Sequence, residues 1–214
     1  REAPFFLFVS FTAPHGPLQP RPGDVDLPEL ASIEKKRRRN YAGLVKAMDD
    51  NVGKILTALE RAGIAEETLV LFTNDNGGQT QTAAVNKPLR GRKGQLYEGG
   101  IRVPLVIRWP ARIAKGRVTD IPTINTDFYP TLQAAAGVQA QPGQVLDGIS
   151  ILPTWEDPKA KPQREFLAWH YPLDKPHFLG GDSAAGVHGR TPAAARDQPI
   201  WNDPAIGRSP IAQG

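Results

Sequence analysis

Asp75 and Asn76 stand side by side in the run Asn74-Asp75-Asn76-Gly77-Gly78, offering adjacent hard oxygens of the kind that Ca²⁺ takes, with Mg²⁺ second, in preference to softer metals. Two side chains fall short of the roughly six to eight ligands such an ion wants, so further donors are expected elsewhere. Lys93 opens KGQLYEGGIRVP, and His15 lies in APHGP. A cation, a lysine and a histidine around a tetrahedral anion would suit hydrolysis of a sulfate or phosphate ester, with metal and lysine holding oxyanions. Asn, Asp and Gly also build ordinary turns, and a loop histidine is commonly only solvated; those readings stand beside the chemical one.

The elements that would position these residues follow from periodicity. The continuous apolar run 5–11, FFLFVSF, suits a strand buried on both faces and closed by Thr12-Ala13-Pro14, with His15 just beyond its end. From 33 to 62 the residues Tyr41, Leu44, Val45, Met48, Val52, Ile55, Leu56 and Leu59 recur three or four apart, which marks one face of a helix, and Gly63 terminates it. Residues 69–73 read as the next strand and deliver Asp75. Strand, helix and strand predict a right-handed parallel βαβ unit with His15 and Asp75 emerging at one sheet edge. Further strands are expected at 105–109, 118–123 (weakened by Pro122) and 165–171, and a helix capped by Asn125 or Thr126 and ended by Gly137. The fold class is α/β, a mostly parallel sheet flanked by helices.

Bulk composition narrows the function classes. The chain has 214 residues, 40% of them hydrophobic, enough for a sizeable core. Cysteine is absent, which removes disulfides, thiolate metal sites and a cysteine nucleophile. The net charge of +4 is small, and the one dense basic run, 35–39, enters a helix without interleaved aromatics, so a solvated helix face is expected and no nucleic-acid partner. No apolar stretch is long enough for a membrane span. Composition shifts after Trp155, and from Gly180 onward Gly, Ala and Pro without period predict a poorly ordered tail. Two regions are expected, 1–155 and 156–214.

The ordered series APHGPLQP, MDDNVGKIL, LFTNDNGG, RKGQLYEGGIRVPLVIRWP, NTDFYPTLQAAAGV and LDGISILP resembles the formylglycine-dependent, arylsulfatase-like sulfatases of the alkaline-phosphatase superfamily. The resemblance covers residues 5–172. It implies that Asp75 and Asn76 match calcium ligands, that Lys93 matches the lysine bridging sulfate and nucleophile, and that His15 touches the sulfate near the leaving oxygen. His170 in WHYP, with His177 and His188, could reach a sugar subsite, although ordinary surface histidines are the simpler reading. Glu98 and Arg102 are assigned to structure, pairing around Gly99-Gly100. The Cys/Ser-x-Pro-x-Arg motif that yields formylglycine does not occur in these residues, nor do the family's N-terminal aspartates. The resemblance therefore implies the second half of a catalytic domain, the start of a C-terminal subdomain after it, and a formylglycine supplied from outside this stretch. The substrate would be a sulfated small molecule or glycan and the whole protein exported. A phosphoesterase or phosphonate hydrolase of the same superfamily, or a non-catalytic module binding sulfated glycans, are the alternatives.

Overall fold

The computed structural model describes residues 3–164 and 166–171, and the backbone of 184–189. The chain forms two compact units: Arg1–Ala65 with Gly78–Asn86, and Glu66–Gly77 with Lys87–Gly214.

The first unit is built on α1 (Lys36–Arg61). Its end is a Schellman closure: Gly63, at φ +67°, donates from its N–H to Glu60, and the Ile64 N–H reaches back to Leu59 at 3.1 Å. A loop crosses the helix at Gly43, where a Cβ would lie 2.9 Å from the Asp24 carbonyl oxygen. Arg21 forks onto Asp24, both side-chain bonds at 3.0 Å, and its own backbone N–H also reaches that carboxylate. These bonds from Arg21 hold the Asp24 carboxyl below its usual range. The clip is complete above the ordinary carboxylate range and is lost as the pH falls through the depressed value. The basic run divides in two. Arg38 donates to the Ala83 carbonyl at 2.6 Å and Arg39 to that of Ile33 at 2.7 Å, while Lys35, Lys36 and Arg37 are solvated as expected.

Residues 5–11 form no strand among the described residues, which corrects the βαβ expectation. Phe6 is 77% and Phe8 78% exposed. A strand apolar on both faces needs neighbours that accept its ladder bonds and cover its side chains, and no described strand does so.

In the second unit β1 (Val70–Thr73) pairs with β2 (Leu105–Arg108) antiparallel, with Val70 opposite Arg108 and Thr73 opposite Leu105. Between them in sequence lies the single turn α2 (Glu98–Ile101). α3 (Phe128–Ala135) follows and closes on Gly137 at φ +68° through the same Schellman pattern, the Val138 N–H reaching Gln133 at 2.9 Å. Neither Asn125 nor Thr126 caps it; its N-cap is Asp127, which makes no side-chain cap bond there, and whose carboxylate instead closes the preceding turn by accepting the Ile124 N–H at 3.0 Å. Residues 118–123 are not a strand. α4 (Leu152–Glu156) brings Leu152 and Trp155 to Trp109 and Ile151, and Leu69, Leu71, Ile107 and Ile149 pack against that cluster. β3 (Phe166–Tyr171) pairs antiparallel with β4 (Ala184–Gly189), which lies in the stretch expected to be poorly ordered. Both described pairings are therefore antiparallel, and the parallel arrangement is not formed within the described residues.

Asp127 is fully buried and accepts two 2.6 Å bonds from Arg164. Truncating Asp127 to Ala should cost about 3–5 kcal/mol, because it strands the guanidinium and two backbone donors. Glu98→Ala, which removes an exposed 3.3 Å pair with Arg102, should cost about 1 kcal/mol or less. Urea denaturation of both variants checks the contrast; equal midpoints would refute it.

Candidate active site

Strand β1 ends at Thr73, whose hydroxyl donates to the Pro104 carbonyl at 3.0 Å, so the chain leaves the sheet beside the entry to β2. The next residues form the turn that carries Asp75, exposed, and Asn76, half-buried. The Asn76 amide donates to the Asp75 carboxylate at 2.5 Å. The carboxylate is thus oriented by its neighbour while staying open to solvent. Both groups are hard oxygen donors, so their type fits a calcium ion. Their number does not complete a shell, and among the described residues no cluster of three or more His, Asp or Glu could hold a metal.

Lys93 lies on the loop that ends in α2. Gly91 and Gly94, at φ +88° and +85°, let the chain turn on either side of it, and the Gln95 N–H closes the turn on the Arg92 carbonyl at 3.0 Å. The Arg90 guanidinium stacks 3.9 Å from the Tyr97 ring centre and donates to the Tyr97 hydroxyl at 3.0 Å, clasping the two ends of the loop. Gly99 N–H donates to the Arg90 carbonyl at 2.6 Å. Lys93 is consequently half-buried on a loop fixed from both ends. Glu98 and Arg102 pair across the Gly99-Gly100 turn, as expected.

One backbone bond ties the two motifs. The Gly77 N–H donates to the Gly100 carbonyl at 2.9 Å. A Cβ on Gly77 would collide with the Gly99 carbonyl oxygen, so only glycine allows this approach. Asp75, Asn76 and Lys93 therefore belong to one unit and one hydrogen-bonded frame. The Arg90–Tyr97 clasp and the role of Gly77 were not legible as site features. The glycine run marked the turn but not its partner.

His15 belongs to the first unit. It is exposed, and its Nδ1 donates to the Gly16 carbonyl at 2.8 Å while its N–H bonds to the Thr12 carbonyl at 2.9 Å. With no strand at 5–11, no ladder defines a sheet edge for it to share with Asp75. His170 is exposed on β3, opposite Ala185. His177 lies outside the described residues, and His188 is described by its backbone alone, opposite Leu167.

Comparison with known proteins gives this frame its family. The profile of the family described as Sulfatase matches residues 1–138. A sulfatase of Formosa agariphila is 37% identical over 188 residues, covering 80% of this chain and 33% of that protein. The mouse (Mus musculus) steryl-sulfatase is 35% identical over 179 residues, covering 80% of this chain and 27% of that protein. The chain thus spans about a third or less of the length of these relatives. Among solved structures, Ps i-CgsB in complex with k-i-k-neocarrahexaose aligns at a TM-score of 0.74 and 35% identity, over 88% of this chain and 40% of that one. The shared fold is the α/β fold of the alkaline-phosphatase superfamily, represented here in part, and the chain belongs to the sulfatase family.

Proposed function

We propose that this chain supplies the oxyanion-holding part of a sulfatase that hydrolyses sulfate esters, with a sulfated carbohydrate as the favoured substrate and an aryl sulfate as a surrogate. The observation that carries the reading is the 2.9 Å bond from Gly77 to Gly100, which gives the Asp75-Asn76 turn and the Lys93 loop a common frame. The carbohydrate preference is supported by the neighbour bound to a neocarrahexaose.

Asp75 and Asn76 would hold a calcium ion, completed by ligands outside these two. When bound, calcium withdraws charge from sulfonyl oxygens and lowers the cost of attack at sulfur. Lys93 donates to the same oxygens as their negative charge grows, and its half-buried setting keeps that interaction poorly screened. His15 serves the leaving oxygen. Its Nδ1 donates to the Gly16 carbonyl at 2.8 Å, which orients the ring. His170 contacts the outer part of a glycan. The nucleophile, a formylglycine by family resemblance, would come from outside these residues, and the whole protein would work outside the cytoplasm, a reading supported by the same resemblance. Among the described residues no helix is long and apolar enough to cross a membrane.

In the longer protein, Lys93→Ala should lower kcat by about a hundredfold or more, the scale of losing one preorganised oxyanion donor. Steady-state assays with 4-nitrophenyl sulfate and 4-nitrophenyl phosphate test this together with the reaction class. A preference for the phosphate would replace the sulfatase reading with a phosphoesterase one. The 214-residue chain alone should neither turn over 4-nitrophenyl sulfate nor bind calcium tightly, because Asp75 and Asn76 are only part of a shell. Calorimetry showing tight stoichiometric calcium binding would refute the partial-shell description.

A further inference from the structure

We propose that Gly77, Gly99 and Gly100 are positioning residues that weld the Asp75-Asn76 turn to the Lys93 loop, so that the cation-holding and anion-holding groups move as one body and occupancy of one is felt at the other. The inference rests on the functional reading of Asp75, Asn76 and Lys93 given above, and it adds a mechanical link between them.

The weld is made of backbone packed on backbone. The Gly77 N–H donates to the Gly100 carbonyl at 2.9 Å, and the Gly99 N–H donates to the Arg90 carbonyl at 2.6 Å. A Cβ on Gly99 would come 2.6 Å from the Arg90 carbonyl oxygen, and one on Gly100 would come 2.5 Å from that of Arg92 and closer still to that of Gln95. Arg92 and Gln95 bracket Lys93, so Gly100 lies directly under the turn that presents the ammonium. Gly77 in turn follows Asn76 in the chain. From Asn76 to Lys93 the path thus runs through the Asn76–Gly77 peptide bond, the Gly77–Gly100 hydrogen bond, the close approach of Gly100 to the Arg92 carbonyl and the Arg92–Lys93 peptide bond, all of them main-chain links. No flexible side chain intervenes to absorb a displacement. A shift of the metal-side turn must be passed to Lys93, and by linkage the reverse holds with the same coupling.

Amide NMR of the full 214-residue chain tests this. Gly77→Ala should move the Lys93 and Gln95 amide resonances while the amides of β1 keep theirs, and the sulfate dissociation constant read at Lys93 should rise about fivefold or more. A folded Gly77→Ala chain with Lys93 and Gln95 unmoved, or with unchanged sulfate affinity, would overturn the weld. Should Gly77→Ala fail to fold, Arg90→Ala loosens the loop through its exposed clasp on Tyr97 and is expected to move the Asp75 and Asn76 amides; their staying in place overturns the proposal equally. Calcium titration of the unsubstituted chain separates the two ideas. Shifts at Asp75 and Asn76 that extend to Lys93 support both. Shifts confined to Asp75 and Asn76 overturn the weld, and no shift at either, even at calcium concentrations high enough to fill a weak site, sinks the calcium reading while the two substitutions still decide the weld.

Discussion

A carboxylate with no solvent contact is stable as an anion only if its surroundings replace every bond that water would have made. Asp127 meets that requirement with two donors from Arg164 at 2.6 Å, the Ile124 N–H at 3.0 Å and the Ile149 N–H at 3.1 Å. Arg164 adds a 2.8 Å bond to the Pro122 carbonyl. Segments far apart in the chain are therefore fixed to one point. Through the Thr131 hydroxyl, which donates to the Asp127 carbonyl and accepts the Ile151 N–H, the same knot sets Ile151 into the core against Trp109. Trp109 directly follows β2, and β2 pairs with the strand that carries Asp75. Geometry at the candidate site is thus anchored by an ion pair that takes no part in its chemistry.

The site itself is organised by the opposite means, an absence of side chains. Where Asp127 brings segments together by charge, Gly77, Gly99 and Gly100 do so by letting main chains approach within hydrogen-bonding distance. The two devices suit their places. A buried ion pair tolerates no water, whereas a site open to a charged ligand needs its frame held by bonds that water and salt disturb little.

Much of this was legible in the residues. The three-to-four spacing of Tyr41 through Leu59 gave α1 with its end, because a helix buries its own backbone bonds and needs only one apolar stripe to stay in place. Gly63 and Gly137 gave both Schellman closures for the same local reason. Strand pairing was less accessible: residues 69–73 and 105–109 were recognisable as strands, but an antiparallel ladder between them is a long-range choice that periodicity does not encode. Residues 5–11 show the limit most directly, since an apolar run states a need for cover on two faces without naming what provides it. β4 escaped because Ala184–Gly189 has Val187 as its one β-branched residue among Gly and Ala, too weak a strand signal, and its pairing with β3 compensates. At the site, the chemical residues Asp75, Asn76 and Lys93 were visible by type, while the contacts that join them depend on atoms every residue possesses and so leave little trace in composition.

The uncovered run at residues 5–9 has a consequence for how this chain behaves in a test tube. Phe5, Phe6, Leu7, Phe8 and Val9 are between 43% and 78% exposed, and they form a short, uncharged, proline-free segment outside any described strand. Such a segment is what the edge of another chain adds to most readily, in register and without limit. A strand edge of a second copy of this chain therefore has a place to add at residues 5–9, and the net charge of +4 supplies little repulsion to oppose it.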